Sequence, residues 1–248
     1  ARIEANVYGK AGETLISRVL TSILLGVIGG FFASLILILV GVTVTRAGVS
    51  FILPIAVILM LIDQRFLCFS YAGGLVSLSS LIFGWPEVGV TDIMILVAVL
   101  HLVEGLLIRF TGSQGALPLY MKTQEGQVVG GFVLQKFWPM PIISMLLVTP
   151  PASELHSVAG GLITMPDWWP LIKPGIVPPE GHELLFAMFL IPAALGYGDF
   201  AIARSPEERS ARTARDLLVF SLVLLGLALA SIPFPPIQWI AAIFAPVG

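Results

Sequence analysis

Long apolar runs separated by short polar clusters organise this chain. A helix needs roughly 20 mostly apolar residues to cross a bilayer, and Val19–Val40 reaches that length without a charge. Helical pattern extends back as far as Glu13. The next run, Val49–Ile62, spans only about 21 Å as a helix. It also carries Pro54, which removes a backbone donor and kinks a helix. Asp63-Gln64-Arg65 makes a tight polar connection to a third run, Phe66–Gly84, rich in small residues and closed by Trp85-Pro86-Glu87. The fourth run is Thr91–Ile108, with Thr91 or Asp92 placed to cap its start.

Phe110–Lys136 is more polar. Within it Leu117–Lys122 and Gln127–Leu134 flank Thr123-Gln124-Glu125-Gly126, the pattern of a β-hairpin with a short glycine-containing loop. Gly130-Gly131 weakens the second strand. Apolar pattern resumes at Phe137–Val148, where Pro139 and Pro141 suit the first turn of a helix. Pro150–Glu183 holds seven prolines and cannot be one regular helix. Its Trp168-Trp169 pair and isolated apolar stretches place it on the membrane interface. Leu184–Gly196 is a sixth run, kinked at Pro192. Ser205-Pro206-Glu207-Glu208 then opens a helix through a capping box, leading into a seventh run, Leu217–Ile232. Pro233–Val247 is either a short eighth span or a re-entrant segment. Trp85, Trp138, Trp168, Trp169 and Trp239 all fall at span ends or in the Pro-rich loop, as an aromatic belt requires.

The expected fold is therefore an all-α polytopic membrane protein with about seven to eight transmembrane helices. A single transmembrane domain covers 1–248, with a cytoplasmic β-hairpin at about 116–136 and an outer Pro-rich loop at about 150–183. Composition agrees: 57% of the 248 residues are apolar and 11% charged, against about 25% charged in a soluble domain. Mean hydropathy is +0.97. A net charge of −2 offers no basic surface for a nucleic acid, and one cysteine, Cys68, excludes an internal disulfide or a multi-cysteine metal site. Alternate connections, counted from the N-terminal segment, hold 11 of the 13 Lys and Arg residues; the others hold Arg46 and Lys173. By the positive-inside rule the N-terminus, the hairpin and the Arg-rich connection before the seventh run are cytoplasmic.

Ionisable residues at membrane depth are the functional leads. His101 and Glu104 lie three apart on one face of the fourth run, with Arg109 a little beyond. They read as a proton relay, as half of a metal site, or as structural groups bonded to another helix or paired with Arg109 or Arg65. A metal needs more ligands, and the remaining histidines, His156 and His182, fall in the Pro-rich loop; no metal site and no cofactor site is expected. No HExxH, GxSxG, Walker A or GxGxxG motif occurs, so no catalytic residue is assigned. Gly26, Gly30 and Ser34, at four-residue spacing, allow close packing, as an internal contact more than as a homo-oligomer face. Ala72, Gly73, Gly74, Ser77 and Ser80 do the same in the third run. Arg204, Arg209, Arg212 and Arg215, interleaved with Glu207, Glu208 and Asp216, read as an orienting anchor near anionic headgroups or as a docking site. Lys122 and Lys136 add to the same side. Glu208–Arg212 and Arg212–Asp216 have helical pair spacing.

Two runs carry a resemblance: Gly130-Gly131-Phe132-Val133-Leu134-Gln135-Lys136-Phe137-Trp138-Pro139, and Gly196-Tyr197-Gly198-Asp199 leading through Ala201-Ile202-Ala203 and Ser205-Pro206. With Leu102–Arg109 they resemble the multi-span membrane part of MinJ-type bacterial division-site proteins, which carry a C-terminal PDZ domain. The resemblance implies a non-enzymatic scaffold in the bacterial plasma membrane that docks cytoplasmic division and polarity proteins, DivIVA and MinD-like partners. It also implies a PDZ domain after the last apolar segment, where this sequence ends; either the sequence is part of a longer chain or the protein is a relative without that domain. The rival expectation is a small secondary transporter or channel using His101 and Glu104. A weaker one is a membrane enzyme acting on lipid beneath the Pro-rich loop.

Overall fold

A computed structural model describes residues 15–63, 68–122, 128–154, 162–202 and 204–247. The elements are α1 (Leu15–Val40), α2 (Val49–Met60), α3 (Phe69–Phe83), α4 (Val90–Thr111), β1 (Leu117–Lys122), β2 (Val128–Val148), β3 (Leu185–Ile202), α5 (Pro206–Ala230) and α6 (Ile237–Phe244). Short 3-10 turns lie at Ala152–Glu154 and Ala245–Val247. Three helices are long and apolar enough to cross a membrane: Ile16–Val40, Val90–Thr111 and Pro206–Ala230. α2, α3 and α6 are shorter apolar helices.

This corrects the all-α expectation of seven to eight spans. The fifth and sixth apolar runs are strands, hydrogen-bonded in one antiparallel sheet of order β1-β2-β3. Length explains the difference. Phe137–Val148 and Leu184–Gly196 reach only about 18–20 Å as helices, well short of the roughly 30 Å hydrocarbon core. Extended, at about 3.3 Å per residue, each covers about 40 Å. Pro139, Pro141 and Pro192 suit strand positions that donate no ladder hydrogen bond, whereas helix interiors reject them. Along β2 burial alternates with period two: Leu134, Trp138, Met140, Ile142 and Ser144 are buried, while Gln135, Phe137, Pro141 and Ile143 are exposed. The hairpin is present with β1 antiparallel to β2, Leu117 opposite Val133 and Lys122 opposite Val128. Its connecting residues 123–127 lie outside the described residues, as do Gln64 and Arg65 of the second connection.

The chain divides into two compact units, one of Ala1–Phe32, His101–Ile142 and Pro192–Val219, the other of Ala33–Leu100, Ile143–Ile191 and Phe220–Gly248. In the first unit, α1 lies against the edge of β2. A side chain at Gly26 would collide with the Pro139 carbonyl oxygen, and one at Gly30 with that of Pro141. A strand residue's N and O point to the same edge, so these prolines leave no N–H unbonded beside the helix. Gly29 faces Val103 at 2.8 Å from an added Cβ, and Gly105 faces Leu218 at 2.9 Å. The small residues of α1 thus serve internal packing, and their partner is a strand edge.

In the second unit the same register continues. The Ile143 N–H donates to Ser34 Oγ at 2.8 Å. The Val44 N–H donates to the Met145 carbonyl at 2.8 Å, a parallel bridge just beyond α1. Ile93, Met94, Ile95, Val97, Ala98 and Val99 of α4 are all fully buried. α3 packs on α2 and α6. Gly73 lies against Ile93 and Val97, and Gly74 against Pro246, so the small residues of the third run bring these helices together. Thr91, Ser231 and Gln238 form a buried hydrogen-bonded group, with 2.7 Å between the two hydroxyls and 3.1 Å from Gln238 Nε2 to Thr91. Asp92 lies within the first turn of α4, and its carboxylate reaches outside the helix to other elements.

Candidate functional site

The best-defined polar site in the first unit is built on Asp199, near the end of β3. Residues two apart on a strand share a face, and residues four apart on a helix do likewise. Tyr197 and Asp199 on β3 therefore meet Arg209 and Thr213 on α5. Arg209 donates to both carboxylate oxygens, from Nε at 2.8 Å and from a terminal nitrogen at 2.9 Å. Thr213 Oγ1 donates at 2.9 Å and the Tyr197 hydroxyl at 3.3 Å. The Phe200 N–H completes the set at 2.8 Å. Burial alone would raise the Asp199 carboxyl, but the Arg209 bonds, the Phe200 N–H and Thr213 outweigh it and hold the group below the usual carboxylate range. Tyr197 is pushed up to about 12, first by burial and then by the neighbouring Asp199 charge. The start of α5 is capped as the sequence predicts: Pro206 opens it and the Glu208 N–H donates to Ser205 Oγ at 3.2 Å.

This clamp fixes the basic start of α5 to β3, and sheet pairing with β2 joins β3 to the hairpin. An added Cβ at Gly131 of β2 would sit 2.9 Å from the Ala201 carbonyl. Arg209 is consumed internally. Arg204, Arg212 and Arg215 are exposed, and Arg215 bonds its neighbour Asp216 at 2.9 Å. Tyr120 of β1 is 81% exposed. Lys136 is half-buried on β2. Lys122 ends β1; its side chain is outside the described residues. Among the described residues, eight Lys and Arg belong to this unit, and Arg46 and Lys173 to the other.

The structure keeps His101 and Glu104 together on α4. His101 is buried and Glu104 half-buried. Beside them on the helix, Val103 meets Gly29, and Gly105 meets Leu218 and the Ala214 carbonyl. Arg109 is exposed in the last turn. Arg65 and His156 lie outside the described residues. Among the described residues no group of three or more His, Cys, Asp or Glu side chains stands where it could hold a metal ion.

A second polar site, in the other unit, was legible only as separate residues. Arg46 Nε lies 3.3 Å from the fully buried Asp92 carboxylate, and the same guanidinium donates to the Pro174 carbonyl. The Thr43 N–H donates to Asp92 at 3.5 Å, and the Gly89 N–H to the Arg46 carbonyl at 2.7 Å. Asp92 and Arg46 stand 46 positions apart in sequence. In sequence Asp92 offers itself as a helix cap, and its partner is not visible. Asp199 likewise appears in sequence only within the Gly196-Tyr197-Gly198-Asp199 run, and only pairing with α5 turns it into a clamp.

Compared with protein-family models, curated proteins and solved structures, the chain matches none.

Proposed function

We propose that this protein is a non-enzymatic integral membrane scaffold that docks cytoplasmic proteins of division-site placement in a bacterial plasma membrane. The observation that carries the reading is the Asp199 clamp. It ties α5 to β3, which pairs with the hairpin's second strand, occupies Arg209, and leaves Arg204, Arg212, Arg215 and Tyr120 exposed. A pre-organised surface binds with less ordering cost than a flexible one. The positive-inside bias puts this surface, with the N-terminus, on the cytoplasmic side. The resemblance to MinJ-type membrane domains names the partner class: DivIVA-like and MinD-like proteins.

The test is binding of such purified proteins to this chain in lipid nanodiscs. Binding that weakens about tenfold on combining Arg212→Glu with Tyr120→Asp supports the reading; that is about 1.4 kcal/mol. No binding by either partner class overturns it. The transporter reading rests on His101 and Glu104. It predicts solute flux in proteoliposomes that Glu104→Gln abolishes, with the double variant unaffected.

A further inference from the structure

The geometry points to the Pro-rich segment 162–177 as a fixed wedge that inserts apolar side chains into the membrane–water interface at the C-terminal end of α1. The last four carbonyls of a helix have no partner within it. Here the segment supplies two. Trp169 Nε1 donates to the Ile38 carbonyl at 2.8 Å and the Ile172 N–H to the Val40 carbonyl at 3.1 Å. Pro170 packs on Gly41, whose positive φ of 92° ends the helix. Pro174 accepts from Arg46, which also holds Asp92. Trp169 and Ile172 are buried by these contacts.

Most of the segment's other side chains are exposed. Ile163 is 80% exposed, Trp168 59% and Val177 88%, with Leu171 and Ile176 exposed beside them. The Trp168-Trp169 pair thus divides its work: Trp169 anchors and Trp168 projects. Surface of this kind on a segment with few charges needs an apolar partner. Depth identifies that partner as lipid. The segment is hydrogen-bonded to the last turn of a helix long enough to cross a membrane. That helix carries exposed apolar side chains near the same end, Leu35 and Leu39, so the segment lies where acyl chains give way to headgroups, the level that tryptophan favours. Lys173, though exposed, turns back onto the segment's own backbone: its Nζ donates to the Asp167 and Trp169 carbonyls at 3.2 and 3.5 Å. Preformed anchoring means insertion orders no chain, unlike an amphipathic helix that folds on the surface.

The experiment uses the full chain with Cys68→Ser, which keeps a capping side chain for the Ser70 N–H. Single cysteines at Ile163, Trp168, Val177 and, as control, Glu180 carry nitroxide labels in lipid nanodiscs. Accessibility is measured to dissolved oxygen, which concentrates in lipid, and to a water-soluble nickel chelate. Labels at 163, 168 and 177 are expected to collide with oxygen more than with nickel, and the label at 180 the reverse. Trp169→Phe, which keeps the ring and removes its donor, should shift the label at 177 toward nickel while labels on α4 stay unchanged. Nickel preference at all three sites overturns the proposal, as does protection from both reagents, which would mark a protein interface instead.

Discussion

The Asp199 carboxylate accepts bonds from Arg209, Thr213, Tyr197 and the Phe200 N–H. Asp199→Asn removes the charge and leaves buried donors mismatched. Hydrogen bonds to charged groups contribute roughly 1.5–3 kcal/mol, discounted here because Arg209 is partly exposed. A loss of about 1–2 kcal/mol is expected, read as a lower melting temperature in detergent at pH 7. The pH dependence has a defined sign. A carboxylate lowered on folding stabilises fully above its unfolded value of about 4, and that stabilisation fades as pH falls through its lower folded value. Tyr197, raised to about 12, contributes below its unfolded value of about 10 and loses that contribution as pH rises toward 12. The native protein should therefore hold a plateau between these limits, with an acid shoulder that Asp199→Asn removes and an alkaline shoulder that Tyr197→Phe removes.

At the scale of elements, α1 and β2 solve a problem that a bilayer poses for strands. Unpaired backbone groups exposed to hydrocarbon cost several kcal/mol each, so open sheet edges are excluded there. Pro139 and Pro141 delete two donors, Gly26 and Gly30 admit the two carbonyls, and Ser34 accepts the next N–H. Four residues of helix rise about 6.0 Å and two of strand about 6.7 Å, which is why a four-residue stripe meets every second strand residue. Gly26→Val or Gly30→Val should force α1 off the edge and destabilise by about 3 kcal/mol or more. Ser34→Ala should cost about 1–3 kcal/mol through the stranded Ile143 N–H. Melting temperatures should rank wild type above Ser34→Ala above Gly30→Val. Much of this architecture was legible in sequence: α1 to α4, the hairpin, the Ser205 cap and the small-residue stripe. The fifth and sixth runs misled because both faces of each strand are apolar. Without polar alternation, period two is invisible beside a helical reading. The signal that remained was length together with Pro139, Pro141 and Pro192. The clamp was half legible, since Arg209 stood out as a basic residue while its partner lay ten positions earlier in another element.

For the whole molecule, the distribution of charge and the placement of rigid surfaces point the same way. The basic residues gather in the unit that carries the hairpin and the Asp199 clamp. His101 and Glu104 sit on α4, the one buried and the other half-buried. On the proposed reading, the exposed groups of β1 and of the start of α5 receive a cytoplasmic partner. The most direct test is photo-cross-linking in living bacteria, with a photoreactive residue at Tyr120, Arg212 or Val177. Adducts with a DivIVA-like or MinD-like protein from positions 120 and 212, and none with these proteins from 177, are the predicted result. Protein adducts absent from 120 and 212, or cytoplasmic partners captured from 177, would contradict it.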